Sequence, residues 1–181
     1  QTSGRGRGEN SWLHQTHALA FSFTLKPLEI LTLTSLEAAV NVCKFLNKGQ
    51  VKWPNDILNF NKQKVGGILI NIIDGVAVVG VGINLSNSAN DVYPGIDLEL
   101  SENYKEVLPI KIYEYFLNNR IFSELVANEW NKLCAHLNSK VTLIENEKKM
   151  IGTFKKIGPH GEAQININGE LKSFYNGSLV I

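Results

Sequence analysis

The feature that most constrains the fold is a pair of apolar runs on either side of Asp74-Gly75. The two runs, Lys64 to Asn71 and Val76 to Asn84, are predicted to be strands, and Asp-Gly is a strong signal for a hairpin turn. The second run is nearly continuous in apolar residues (VAVVGVGI), which predicts a central strand covered on both faces. The chain must therefore build a sheet around this hairpin.

Two further elements are predicted before the hairpin. His17 to Leu25 alternates as a strand does, and Pro27 ends it. Thr34 and Glu37 have the spacing of a capping box, and Gly49 stands where a glycine ends many helices. We therefore expect a helix between the first strand and the hairpin.

The second half of the chain divides into a helical and a β-rich part. A helical region is predicted from Tyr104 to Leu137, weakened at Pro109 and at Asn118-Asn119, and Lys140 to Ile181 has short strands and turns. We expect an α+β domain over residues 1–138, with a mixed central sheet and flanking helices. We also expect a small β domain over residues 139–181, which is too short to fold independently of the first.

Composition excludes several classes of protein. The chain is 44% hydrophobic, which excludes intrinsic disorder, and its net charge of +1 favours neither nucleic acid nor an anionic membrane as partner. No apolar run reaches the length of about 18 residues that a membrane helix needs, and the start has no apolar signal-peptide region. Cys43 and Cys134 give no disulfide framework and no metal-ligand spacing. A reduced, cytoplasmic protein is the expectation.

Three short segments can carry chemistry. In Gly4-Arg5-Gly6-Arg7-Gly8, glycines allow the backbone to approach an anion, and arginines supply charged forks for carboxylate or phosphate. A flexible basic tail is the alternative. The segment is not a dinucleotide fingerprint, since Glu9 replaces the third glycine, and no P-loop motif is present. Trp12, just after it, suits either the core or stacking on a base.

The other two segments lie at strand ends. In Val51-Lys52-Trp53-Pro54-Asn55-Asp56, Lys52 is a point charge for an anion, although a solvated lysine beside a turn is the alternative. In Gly80-Val81-Gly82-Ile83-Asn84, alternate glycines free one face for close approach, and Asn84 can both donate to and accept from a nucleobase. A packed bend with a polar turn residue is the alternative there.

Taken together and in this order, the segments resemble the biotin–protein ligases. QTSGRGRG with Trp12 is similar to the family's biotin and adenylate loop, VKWPND to its lysine-bearing strand, and KVGGIL and GVGINL to its central hairpin. The resemblance implies a catalytic domain like those of class II aminoacyl-tRNA synthetases and lipoate ligases, followed by a small SH3-like β-barrel. The family's sequence begins before this loop, with a segment that grips the ureido ring, so we expect the N-terminal part of that domain to be missing. We also expect no DNA-binding helix-turn-helix before this domain.

The resemblance also implies roles for individual residues. Lys52, Arg5 and Arg7 would be catalytic, with Lys52 touching the biotin carboxylate. Two sets of binding residues follow from the same motifs: biotin would be bound by Gln1, Gly4, Arg5, Gly6, Arg7 and Lys52, and ATP or the adenylate by Arg5, Arg7, Trp12, Lys52, Asn55, Ile83 and Asn84. Mg²⁺ would arrive with the ATP phosphates and not through a protein metal site; Asp56 could assist it.

The implied reaction has two steps. Biotin and ATP form biotinyl-5′-AMP, and a lysine of a biotin carboxyl carrier protein, a carboxylase subunit, then displaces AMP. A homodimer is compatible with the sequence. Two alternatives remain: a lipoate or octanoate ligase of the same fold, and a non-catalytic biotin or nucleotide binder. A nucleic-acid binder ranks last because its charge is confined to one short segment.

Overall fold

The structure is a computed structural model that describes residues 4–6, 11–12, 17–86, 94–98 and 103–181. Within these ranges the elements are, in chain order, β1 (Gly4–Arg5), β2 (Ser11–Trp12), β3 (Ala18–Leu25), α1 (Leu31–Leu46), β4 (Gln50–Lys52), β5 (Asp56–Leu58), β6 (Lys64–Ile73), β7 (Val76–Ser86), β8 (Ile96–Asp97), α2 (Tyr104–Asn118), α3 (Ser123–Leu133), β9 (Lys140–Glu145), β10 (Lys148–Ile157), β11 (Ala163–Ile167), β12 (Glu170–Phe174) and β13 (Ser178–Val180).

The predicted hairpin is the centre of the larger sheet. Strands β6 and β7 pair antiparallel through a turn in which both Asp74 (φ 50°) and Gly75 (φ 76°) have positive φ, as a type I′ turn requires. The strand order is β3-β7-β6-β5-β4, and the short β8 pairs parallel to β7, so the sheet is mixed.

The central position of β7 is confirmed, but its coverage on both faces is not found among the described residues. Val79, Val81 and Ile83 are buried, whereas Gly80 and Gly82 between them are only half-buried. The apolar run is continuous because the open face carries glycine rather than polar side chains.

The helix before the hairpin is present, but neither predicted cap is used. Helix α1 begins at Leu31, so Thr34 and Glu37 lie inside it; the Thr34 hydroxyl accepts the backbone N–H of Leu28 at 3.1 Å. The helix ends at Asn47 in a left-handed conformation (φ 51°), two residues before Gly49. Thr34 and Glu37 therefore do not cap the helix, because both side chains accept hydrogen bonds from residues outside it.

The second half follows the predicted division. The long helical region is two helices, α2 with Pro109 inside it and α3. Strands β9 to β13 form one antiparallel sheet in the order β12-β11-β10-β9-β13, so the expected C-terminal β unit is present. Apolar side chains of both halves join in one buried cluster that includes Trp53, Trp130 and Phe154. Among the described helices, none combines the length and the apolar character that crossing a bilayer demands.

Candidate ligand-binding face of the central sheet

One row of directly opposed residues crosses all five main strands of the central sheet. Lys52 pairs with Asp56, Asp56 with Gly67, Gly67 with Gly82, and Gly82 with Ala20. Opposed residues of antiparallel strands point to the same face. At a strand spacing of about 4.8 Å the row is roughly 19 Å long. It therefore has two charged residues at one end and nearly bare backbone along the rest.

The next row continues this surface, with one large side chain on β6. Leu69 is opposite Gly80, and Gly80 is opposite Ser22. Ala20 and Ser22 are exposed, and Gly67, Gly80 and Gly82 are half-buried. We call the surface formed by Ala20, Ser22, Gly67, Gly80 and Gly82 the floor. Its small side chains allow a ligand to lie directly against the sheet.

The charged end of the floor holds two lysines on one carboxylate. Lys52 Nζ lies 2.8 Å from Asp56 Oδ2, and Lys64 Nζ lies 2.6 Å from Asp56 Oδ1. The side chains of Lys52 and Asp56 are 17% and 11% exposed, whereas that of Lys64 is 53% exposed. The formal charges of Lys52, Lys64 and Asp56 sum to +1, so this rim of the floor is positively charged. The Lys52 ammonium group is shielded, whereas the Lys64 ammonium group is open to solvent.

Lys64 is the site residue that sequence reasoning missed. It is the first residue of the KVGGIL segment, which was recognised only as part of the hairpin. The pairing of β5 with β6 has an irregular register between Ile57 and Leu58, so strict alternation from Gly67 does not place the Lys64 side chain. In the sequence, the local signal for Lys64 is its position two residues before Gly66-Gly67. Its ion pair with Asp56 becomes apparent only in the three-dimensional structure.

Asn84 lies at the far end of β7, opposite Ala18. Its side-chain Oδ1 is buried and has no hydrogen-bond partner among the described residues. A buried acceptor left unpaired costs about 1–3 kcal/mol, so this atom is suited to receive a donor from a ligand. The binding role of Asn84 stays a prediction, and its unpaired oxygen is the feature of the structure that bears on it.

Two other predicted residues have their side chains occupied elsewhere. The Asn55 amide donates to the carbonyl of Ile68 at 2.9 Å, while the Ile68 N–H donates to the Asn55 carbonyl at 2.9 Å. Asn55 therefore fastens the loop after Lys52 to β6. The side chain of Ile83 is fully buried in the core, so only its backbone borders the open face of β7.

The glycine–arginine segment is described in part. Gly4 pairs with Trp12, and Arg5 pairs with Ser11, in a two-stranded antiparallel ribbon formed by β1 and β2. Gly6 follows this ribbon. The predicted binding residues Gln1 and Arg7 lie outside the described residues, so their roles, and those of the Arg5 and Trp12 side chains, stay predictions.

Among the described histidines, only His136 is buried. It falls within the predicted helical region from Tyr104 to Leu137, but it follows α3 in a turn, fully buried against Trp130 and Phe154. Burial, together with the positive charges of Lys52 and Lys62, lowers the pKa of His136 to about 4. The imidazole is therefore neutral at physiological pH, near Lys52 but outside the rows of the floor.

A cavity of about 360 Å³ lies beside the loop that follows Lys52. Its walls come from the first turns of α1, from β6, from that loop and from the C-terminal sheet region at Gly161 and Tyr175. Asn55 is the one predicted site residue that lines it. The cavity is thus separate from the paired lysines and the floor.

Comparison with protein-family models gives a match over residues 1–88 to the biotin/lipoate A/B protein ligase family. This range contains β1 to β7, and with them the floor, both lysines and Asn84.

Similar curated proteins match about half of the chain. Biotin–protein ligase 2 of Arabidopsis thaliana is 36% identical over 104 residues, covering 48% of this chain and 31% of its own length. The bifunctional ligase/repressor BirA of Bacillus subtilis is 35% identical over 105 residues, covering 50% of this chain and 32% of its own. The aligned part therefore spans about a third of these relatives.

Solved structures show the same fold over nearly the whole chain. The biotin protein ligase of Aquifex aeolicus in complex with biotin and ATP superimposes with a TM-score of 0.73 and 24% identity, covering 98% of this chain and 83% of that one. This likeness includes the C-terminal β unit, which the family model does not reach.

Proposed function

We propose that the chain, whose residues 1–88 match the model of the biotin/lipoate A/B protein ligase family, is part or all of an ATP-dependent biotin–protein ligase. It would form biotinyl-5′-AMP and transfer biotin to a lysine of a biotin carboxyl carrier protein. The observation that carries this proposal is the floor itself, with paired ammonium groups at one end and an unpaired amide oxygen beyond it on β7.

The first step joins two anions, and the charged rim suits that task. The carboxylate of biotin must approach the α-phosphate of ATP, and pyrophosphate leaves. Lys52 and Lys64 each retain N–H groups beyond the one directed at Asp56. Preorganised charge and correct positioning supply most of the catalysis in such reactions, because the protein forms no covalent bond with the substrate.

Asp56 has a defined part in this arrangement. Two ammonium groups so near each other repel, and a carboxylate between them holds both in place. Since both its oxygens are already engaged by lysine, Mg²⁺ would enter the site chiefly through the ATP phosphates. Arg5 and Arg7 would add further positive charge from the glycine-rich segment.

The adenine end of the ligand would lie near Asn84. The exocyclic amino group of adenine is a donor, which matches the unpaired Asn84 Oδ1. Trp12 would stack on the base. The floor between the two ends would accept the acyl chain, since no side chain larger than serine rises from it.

A lipoate or octanoate ligase is the alternative within the same family. Several similar curated proteins are named biotin–protein ligases, which favours biotin, whereas the family model spans both acids. A non-catalytic binder would keep the floor but would release no pyrophosphate.

Mass spectrometry of an acceptor tests the proposal directly. A biotin carboxyl carrier domain is incubated with the full natural chain, biotin and MgATP, and we expect a mass gain of one biotinyl group that requires ATP. A matched reaction in which lipoate or octanoate competes with biotin identifies the preferred acid. No mass gain and no pyrophosphate release would contradict the ligase assignment, and preferential transfer of lipoate would replace it with the alternative.

A further inference from the structure

The residues on both sides of Lys52 are held by the C-terminal part of the chain. The Val51 carbonyl accepts the backbone N–H of Ala135 at 3.0 Å. The Trp53 indole Nε1–H donates to the carbonyl of Gly161 at 3.1 Å. Both contacts leave the Lys52 side chain itself free to face the floor.

The contact at Trp53 is made with a tightly constrained turn, residues 158–161. Gly161 N–H donates to the Gly158 carbonyl at 3.0 Å, and His160 N–H donates to Glu162 Oε2 at 2.9 Å. Glu162 is only 4% exposed. A carbonyl in such a turn has a fixed direction, so its bond to Trp53 fixes the indole in turn.

The same turn is docked on the first turn of α1. Thr32 Oγ1 donates to the His160 carbonyl at 2.5 Å. Gly161 has φ +84°, and a Cβ there would lie 3.3 Å from both Thr32 Oγ1 and Leu36 Cδ1. The backbone conformation therefore favours glycine at this position, and a Cβ would also require its neighbours to shift slightly.

The contact at Val51 extends the central sheet by a short bridge. Cys134 pairs parallel to Val51 at the outer side of β4. His136 follows, fully buried, and the positive charge of Lys52 is among the causes that lower its pKa. The segment 134–136 therefore runs close alongside the strand that carries Lys52.

Side chains alternate between the two faces of the sheet along β4. The residue that faces the floor and the residues held by the C-terminal part of the chain therefore lie on opposite faces. Lys52 is opposite Asp56 on the face of the floor, while Val51 pairs with Ile57 and is fully buried on the other face, and Trp53 is 2% exposed. The supports thus lie behind the strand and do not occupy space that a substrate needs.

We propose that turn 158–161 and segment 134–136 position Lys52, with Trp53 and Thr32 as positioning residues that act through the backbone of β4. The proposal rests on the function proposed above for Lys52. It gives the C-terminal β unit a stated role: it holds the catalytic ammonium group in place from behind the sheet.

Three variants of the full chain isolate the contact. Trp53→Phe removes the indole N–H and keeps an aromatic ring, and Thr32→Val removes the hydroxyl with little change of shape. Ser35→Ala is the matched control, because its hydroxyl is donated within α1, to the Thr32 carbonyl at 3.2 Å. We expect Trp53→Phe to slow single-turnover adenylate formation about 10- to 100-fold, Thr32→Val to slow it less, and Ser35→Ala to leave it unchanged.

A double-mutant cycle separates positioning from general damage to the fold. If Trp53 acts through Lys52, Trp53→Phe should have little further effect in a chain that already carries Lys52→Gln. A merely structural role would instead slow both backgrounds by the same factor, and that result would overturn the proposal. If Trp53→Phe does not fold, the same cycle is run with Thr32→Val.

Hydrogen exchange gives a readout that does not depend on activity. In Trp53→Phe we expect faster exchange at amides 50–56 and at Ala135, compared with Ser35→Ala. Unchanged exchange at 50–56 would contradict the proposal. If wild type forms no adenylate, the proposed function fails, and the exchange data alone then decide whether the C-terminal part holds β4.

Discussion

Lys52 and Lys64 reach one carboxylate from two different strands, and this arrangement sets expectations for each side chain. Lys52→Gln deletes the shielded charge but keeps most of the stem, so packing should survive. We expect both adenylate formation and transfer from preformed biotinyl-5′-AMP to slow by about 10²–10³, measured in single turnovers. Lys52→Arg should restore only part of the rate, because a planar fork does not replace a compact point charge.

Lys64→Gln is the comparison for that experiment, with thermal melting as the control for folding. Because its ammonium group also contacts Asp56, we expect a measurable loss there too. If Lys52→Gln is near wild type while Lys64→Gln is slow, the main catalytic charge belongs to Lys64.

The buried imidazole of His136 makes stability depend on pH. Its pKa is about 4 in the folded chain and about 6.5 when unfolded, so the unfolded state binds the extra proton between these values. Its contribution, about 3 kcal/mol, is complete above pH 6.5 and is lost as pH falls toward 4.

His136→Phe, which keeps a ring between Trp130 and Phe154, should therefore flatten the melting temperature between pH 6.5 and pH 4. His160→Gln, which removes an exposed imidazole, is the control. An equally steep profile in His136→Phe would contradict the expectation.

At the residue scale, the sequence predicts those candidate site residues that belong to a short local motif. Lys52, Asn84 and the alternate glycines Gly80 and Gly82 are predicted as site residues, since each belongs to a short recognisable segment of β4 or β7; their roles stay predictions. The pairing of Lys64 with Asp56 and the unpaired state of Asn84 Oδ1 could not be predicted in this way. Both depend on which strands lie side by side, and that information is not local.

At the scale of elements, a buried ion pair joins α1 to the connection between α2 and α3. Glu37 is fully buried and accepts from Arg120 Nε at 2.8 Å and from the Ile121 N–H at 2.8 Å. We expect Glu37→Gln to lower the free energy of unfolding by about 3 kcal/mol, because Arg120 loses its counter-charge.

The matched control is Glu129→Gln, which breaks a more exposed pair with Lys44 between α1 and α3. We expect it to cost less than about 1 kcal/mol. Urea denaturation measures both variants. Equal losses of unfolding free energy in the two variants would contradict the expectation that burial strengthens the contribution of Glu37.

The same glutamate explains why the helix was found but its start was misplaced. Thr34 and Glu37 have capping-box spacing, yet Glu37 binds a residue 83 positions away. The helix begins three residues earlier, where no side chain caps it. The apolar period predicted the helix well, whereas the cap depended on a partner that sequence spacing does not show.

At the scale of the whole molecule, the two halves share one core. Trp53 from the first half and Trp130, Phe154 and Ile157 from the second belong to a single buried cluster. We therefore expect one cooperative unfolding transition in urea, with coincident midpoints by far-UV and near-UV circular dichroism. Two separated transitions would instead support independent domains at the predicted boundary between 138 and 139. The sequence indicated the change of structural type there, but not the contacts that cross it.

The bond from Trp53 to Gly161 has a consequence for protein synthesis. Its donor and acceptor are 108 residues apart, so the ribosome translates for roughly 5 to 20 s between them. During that interval the nascent central sheet has its lysines and glycines but lacks the support behind β4, and the Trp53 indole is uncovered. A ribosome stalled before residue 161 should therefore present a chain that chaperones bind at the uncovered Trp53.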